Sequence, residues 1–242
     1  MTRCAMILAA GRGERMRPLS QATPKPLLEA GGKPLIVWQI EALARAGYTD
    51  LVINAAHLAD KLTAAIGDGR AFGVGIRWSL EAEPLEAGGG IATALPLLPR
   101  GPVLIVSGDV WTTFDYATLV PRAERMAHDP ASPRAHLVLV PCRPELPRGD
   151  FALRDGMLDL DGGERFVYGN IGLHDTSLFA ELPRGTRLQM LPLWQDWIRR
   201  RWVSGELYPG SWTNIGTPAD LARLDARLRT SPSNSTSAST LP

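Results

Sequence analysis

The sequence predicts an α/β protein with a mixed, mostly parallel sheet between helices. Three observations predict it. Short apolar runs alternate with helical patterns four times before residue 110. The first of these runs breaks directly into a glycine turn that carries cations. Gly11, Asn54, Gly88 and Asp109 all follow strands, at the end of a parallel sheet where ligands sit.

The elements follow in order. Cys4 to Ala10 has the length and composition of a buried strand. Leu35 to Ala46 has helical apolar spacing and stops at Gly47, a natural C-terminal residue. Leu51 to Ala55 is a short strand, His57 to Ile66 a helix closed by Gly67, and Ile76 to Leu80 a third strand. His57 is read as a helix cap. Glu83 to Gly90 reads as a loop feeding a short helix toward Leu95, and Val103 to Val106 is the fourth strand. The second half is less regular. A helix is expected over Tyr116 to His128 with Asp115 as its cap. Leu137 to Val140 is a strand, and a strand pair opening at Gly149-Asp150-Phe151 turns at Asp155-Gly156. Phe166 to His174 is a strand interrupted by glycine. Leu191 to Trp202 is a helix whose Trp194 and Trp197 read as core. Strands over Val203 to Tyr208 and Ser211 to Ile215 precede a helix from Pro218 to Leu228. One domain over residues 1–229 is expected, with halves at about 1–115 and 116–229. The polar residues from Thr230 onward, 230–242, are expected to be a disordered tail.

Composition narrows the function. Of 242 residues, 45% are hydrophobic, enough for a sizeable core. The formal net charge is +1, which points away from nucleic acid and membrane surfaces. Any phosphate binding must come from local cations. The two cysteines, Cys4 and Cys142, form no disulfide framework and no zinc spacing, and Cys4 reads as a small buried hydrophobe. The first apolar run is too short for a signal peptide, and no stretch approaches a membrane span. A cytoplasmic enzyme is expected.

The chemistry lies in Cys4 to Leu28. Gly11-Arg12-Gly13 turns sharply and leaves backbone N–H groups facing outward. Arg12, Arg15 and Arg17 follow, and Lys25 is held between Pro24 and Pro26. A strand, a glycine turn and then cations hold polyphosphate. The dinucleotide pattern would need glycine at Met16, and the acidic residue expected after the second strand is replaced by Asn54, so an oxidoreductase is disfavoured. The Walker pattern is absent.

The stretch L-A-A-G-x-G-x-R-M-x-P-L-S followed by P-K-P-L resembles the start of sugar-1-phosphate nucleotidyltransferases. The resemblance extends to Glu83-Pro84-Leu85-Glu86-Ala87-Gly88-Gly89-Gly90, Gly108-Asp109-Val110-Trp111, Arg148-Gly149-Asp150-Phe151 and Trp212-Thr213-Asn214-Ile215-Gly216-Thr217-Pro218. It is strongest toward the group that uridylylates N-acetylmuramate-1-phosphate in peptidoglycan sugar recycling. It implies the Rossmann-like nucleotide-diphospho-sugar transferase fold, with nucleotide on the first half and sugar on the second. It implies UTP and a sugar-1-phosphate as substrates and Mg2+ as cofactor. Leu8, Ala10, Glu83 and Gly88 would meet the base, and Asn54 either the base or sugar pocket or a turn. Gly11 and Gly13 would hold phosphate through their N–H groups. Arg15 and Arg17 would hold the leaving pyrophosphate, and Lys25 the α-phosphate. Asp109 would be a metal ligand shared with Asn214, and would also face the acceptor. Gly149, Asp150 and Asn170 would meet the acceptor sugar. The family's E-K-P lysine is missing between Phe151 and Asn170, and Arg148 or Arg165 is the expected substitute.

Two other functions compete. One is the same chemistry on another pair, such as a mannose-1-phosphate guanylyltransferase. The other is a non-catalytic subunit that binds nucleotide sugars, against which Arg15, Lys25 and Asp109 argue. No hexapeptide repeat follows, so no acetyltransferase part is expected.

Overall fold

The computed structural model describes residues 3–144 and 146–230. The first half contains β1 (Arg3–Leu8), α1 (Leu19–Ala22), β2 (Glu29–Ala30), β3 (Lys33–Pro34), α2 (Leu35–Arg45), β4 (Tyr48–Ala55), α3 (Ala59–Ile66), β5 (Gly75–Leu80), α4 (Glu86–Ala94), β6 (Pro102–Ser107) and β7 (Val110–Thr112). The second contains α5 (Val120–His128), β8 (Ala135–Val140), β9 (Phe151–Arg154), β10 (Met157–Asp159), β11 (Arg165–Asp175), α6 (Met190–Arg199), β12 (Val203–Leu207), β13 (Trp212–Asn214) and α7 (Pro218–Thr230).

A nine-stranded sheet runs through both halves in the order β5-β4-β1-β6-β11-β8-β12-β10-β9. The strands β5, β4, β1 and β6 are mutually parallel. The strand β11 is antiparallel to both β6 and β8. The sheet is therefore mixed, with four parallel strands in the first half and one further parallel pair, β8 with β12, in the second. The inner strands read as continuous apolar runs because both faces are covered. Side chains alternate between faces at period two. Ala5, Ile7, Leu51, Ile53, Leu104 and Val106 pack on one side, with Ile36, Ile40 and Leu43 of α2. Met6, Val52, Val103 and Ile105 pack on the other, with Ile91 of α4 and Trp197 of α6. Trp194 packs edge-on against Phe151 and Tyr168, so this aromatic stripe is core.

Several boundaries differ from expectation. The strand β4 begins three residues before Leu51, because Thr49 and Asp50 extend a ladder whose burial starts at Tyr48. His57 is not a helix cap. Leu58 occupies that position with φ 53, while His57 Nε2 lies 2.9 Å from the Ser20 carbonyl. Asp115 does cap: its carboxylate accepts the Ala117 N–H at 3.0 Å. Cys4 is only half-buried, and burial pushes its thiol up to about 12, which leaves it unreactive.

The largest correction concerns Gly88, Gly89 and Gly90. They belong to α4 rather than to a loop. The reason is close approach. A Cβ at Gly89 would lie 2.1 Å from the Thr186 carbonyl oxygen, and one at Gly88 2.8 Å from that of Leu188. A Cβ at Gly90 would lie 2.6 Å from Asn54 Nδ2. The expected tail falls outside the described residues from 231 onward. Among the described residues no helix is long and apolar enough to cross a membrane.

Candidate active site

A cleft of about 830 Å³ opens beyond the carboxyl ends of β1, β4 and β6. It is lined by Leu8, Ala10, Gly11, Gly13, Arg15, Lys25, Asn54, Glu83 and Asp109 among the residues singled out from sequence. Gly108 donates its N–H to the Leu8 carbonyl at 2.9 Å, which holds the β6 end beside the β1 end. That bond places Asp109 over the glycine turn.

The turn itself is built tightly. Gly13 sits at φ 61, and a Cβ there would come within 3.1 Å of the Lys25 Cβ. The Gly13 carbonyl accepts from Ser20 Oγ at 2.7 Å and from the Met16 N–H at 2.8 Å. Gly11 has nothing within 4 Å of its Cβ position, so its backbone faces open space. Lys25 begins a short 3-10 turn between its two prolines. Its stem is wedged beneath Gly13, and its ammonium donates to Asp109 Oδ2. The lysine and the carboxylate singled out from sequence are thus paired with each other.

The strand β13 reaches this floor from the far end of the chain. It pairs antiparallel with β7, Asn214 opposite Val110. The Ile215 N–H donates to the Asp109 carbonyl at 2.9 Å. The Asn214 Oδ1 is buried and has no hydrogen-bond partner. Gly216 follows, and a Cβ there would lie 3.3 Å from the Arg15 guanidinium. From beneath, Gln39 of α2 donates to the Val110 carbonyl and accepts from the Tyr116 hydroxyl at 2.5 Å.

Asn54 lines the cleft and also makes two internal bonds. Its Oδ1 accepts the Ala9 N–H at 2.7 Å, and its Nδ2 donates to Glu81 Oε1 at 2.7 Å. Glu81 Oε2 in turn accepts the Leu85 N–H at 3.0 Å. Burial raises the Glu81 pKa, and the bonds from Asn54 and Leu85 oppose that rise. This buried pair ties the start of the phosphate turn to the start of α4. Asn54→Ala strands an N–H and a carboxylate oxygen in the interior. We expect a loss of about 1–3 kcal/mol in a urea denaturation series, with a raised KM for the nucleotide. An unchanged midpoint would show that the clamp contributes nothing.

Other residues singled out from sequence lie outside the lining, Asn214 among them, although Gly216 two residues on belongs to it. Arg17 is exposed just beyond the turn. Gly88 is buried beneath residues 186–189. Gly149 is at φ 59, pressed against the Phe166 backbone. Asp150 accepts the Tyr168 N–H at 2.8 Å and lines a separate cavity of about 450 Å³. Asn170, at φ 56, marks the irregular register of β11. Arg165 is committed to the Leu160 carbonyl at 2.7 Å and that of Asp150 at 2.5 Å. Sequence reasoning missed Glu81 and Arg187. Neither belongs to a local motif, and each acquires its role from a distant partner.

A cleft with cations on one wall and a lysine–aspartate pair on its floor suits polyphosphate chemistry. A family profile described as nucleotidyl transferase matches residues 4–145. The chain belongs to the nucleotidyl transferase family. It is 42% identical over 226 residues to an N-acetylmuramate alpha-1-phosphate uridylyltransferase of Neisseria meningitidis, covering 92% of this chain and 96% of that one. It is 34% identical over 235 residues to a protein of the same name from Caulobacter vibrioides, covering 93% and 96%. In fold, this nucleotidyltransferase superposes with a TM-score of 0.81 on a Bacillus anthracis structure assigned as a glucose-1-phosphate thymidylyltransferase. That match covers 96% of each chain at 20% identity.

Proposed function

We propose that this nucleotidyltransferase condenses UTP with N-acetylmuramate α-1-phosphate, giving the UDP-sugar and pyrophosphate in the cytoplasm. The observation that carries the choice of substrates is similarity along nearly the whole chain to two proteins of that activity. The cleft supplies chemistry that suits it. An oxygen of the acceptor phosphate attacks the α-phosphorus in line. A P–O bond forms, the bond to the β-phosphate breaks, and pyrophosphate leaves with that electron pair. No protein nucleophile is needed, so catalysis is positioning and charge neutralisation.

The residues divide this work. Gly11 and Gly13 offer N–H groups to the phosphates, and Arg15 holds the departing pyrophosphate. Lys25 neutralises the α-phosphate oxygens as charge builds on them. Asp109 and the unpartnered Asn214 Oδ1 are oxygens of the kind a magnesium ion takes, with substrate oxygens and water completing its shell. Bound there, the ion supplies charge stabilisation to the transferring phosphates. Among the described residues no group of three or more His, Cys, Asp or Glu gathers as a metal site, here or elsewhere, so most of such a shell would have to come from substrate and water.

The test is a panel of sugar-1-phosphates against four nucleoside triphosphates, read by pyrophosphate release. UTP with N-acetylmuramate-1-phosphate is expected to give the highest kcat/KM. A higher value with N-acetylglucosamine-1-phosphate, or with mannose-1-phosphate and GTP, would overturn the assignment.

A further inference from the structure

Four cations line the cleft: Arg12, Arg15, Lys25 and Arg187. The first three belong to the phosphate turn. Arg187 alone comes from the second half of the chain, and its delivery is built into the fold. The Leu188 N–H donates to the Leu85 carbonyl at 2.9 Å, and the Gly89 N–H donates to the Leu188 carbonyl at 3.1 Å. The Gly185 N–H donates to Thr93 Oγ1 at 2.9 Å. These bonds pin the backbone on both sides of Arg187 to α4, over the two glycines that make room for it.

At that position the guanidinium binds a carboxylate. Arg187 Nη2 donates to Glu86 Oε1 at 2.6 Å, and Nε to the same oxygen at 3.2 Å. Glu83 and Glu14 add to the field around it. Two of its five N–H groups face Glu86, and the rest remain for a ligand. The two arginines expected to serve the acceptor are placed otherwise. Arg165 holds two backbone carbonyls and lines the smaller cavity rather than the cleft, and Arg148 lines neither.

We propose that Arg187 binds the carboxylate of a carboxylated sugar-1-phosphate, with Glu86 as the internal carboxylate that it exchanges. This rests on the acceptor proposed above, whose lactyl ether carries the only carboxylate in either substrate. The exchange is like for like: one charge-assisted guanidinium–carboxylate pair replaces another. An acceptor lacking the lactyl group offers Arg187 no carboxylate to exchange for Glu86.

The experiment compares wild type, R187A, R187K and E86Q on N-acetylmuramate-1-phosphate and N-acetylglucosamine-1-phosphate, with UTP. R187A should lose about 10- to 100-fold in kcat/KM on the carboxylated acceptor, the range for a charge-assisted hydrogen bond. Most of that loss should fall in the acceptor KM, and it should be at least tenfold greater than on the other acceptor. R187K should fall between, since lysine keeps the charge and loses the fork. E86Q should lower the KM of the carboxylated acceptor by removing the competing carboxylate. A wild-type preference for N-acetylglucosamine-1-phosphate would overturn the acceptor assignment and this inference with it. Wild type as expected, but with equal losses on both acceptors in R187A, would overturn the role of Arg187 alone. So would a rise in the KM for UTP, which marks a nucleotide contact, or equal rises in acceptor KM in R187A and E86Q, which mark a structural ion pair.

Discussion

Asp109→Ala is expected to bring turnover close to background, a loss on the order of 10³-fold or more. The carboxylate has two duties that no neighbour can assume. It is the charged one of the two oxygen donors proposed for magnesium, the other being the neutral Asn214 amide. It also fixes the Lys25 ammonium on the cleft floor. Losing several kcal/mol of charge stabilisation at the transferring phosphates corresponds to a loss of that size. The backbone should tolerate the change. The position is held by the Gly108 N–H to Leu8 and by the Ile215 N–H to the Asp109 carbonyl, neither of which involves the side chain. Pyrophosphate release at saturating substrates checks it. Substantial activity in the variant, or in wild type treated with EDTA, would refute the assignment.

Lys25→Ala is expected to lower kcat by about 10²-fold, the usual size for one preorganised electrostatic group. The KM for UTP should move much less, because the charge on the α-phosphate grows toward the transition state. The geometry supports a preorganised group. Pro24 and Pro26 restrict the chain, the stem lies beneath Gly13, and the side chain is only 12% exposed. Little conformational entropy remains to be lost when the ammonium turns from Asp109 to a phosphate oxygen. Near-normal turnover with weakened affinity would make Lys25 a ground-state contact instead.

Much of this was legible in the sequence because it is encoded locally. Buried parallel strands read as apolar runs, and α2 announces itself by its spacing and by Gly47. The phosphate turn declares its purpose through glycines, cations and flanking prolines within a few residues. What escaped depends on partners about a hundred residues away. Three consecutive glycines read as a loop until residues 186–189 are seen to need the space. Asn54 reads as a pocket or turn residue at a strand end, and nothing local reveals that its amide also joins Ala9 to Glu81. Asp150 and Arg165 line a second cavity rather than the cleft, and the sequence gives no sign that they also satisfy backbone groups around β9 and β11. Arg187 carries no local signal, since an exposed arginine in a polar stretch is ordinary until its backbone is clamped to another element.

The pairing of β13 with β7 also bears on how the protein is made. Asp109 and Lys25 leave the ribosome early, whereas Asn214 and Gly216 follow Asp109 by about a hundred residues. At 5–20 residues per second that interval is roughly 5 to 20 s. During it the nascent nucleotide half carries its phosphate turn without the strand that completes the floor. The inner strand β6 likewise has one unsatisfied edge until β11 arrives to pair with it. Such an edge is a template for association with other chains. Until β11 is made, the β6 edge stays open to pairing with other chains, and a fragment ending in that interval is expected to aggregate rather than to act as a partial enzyme.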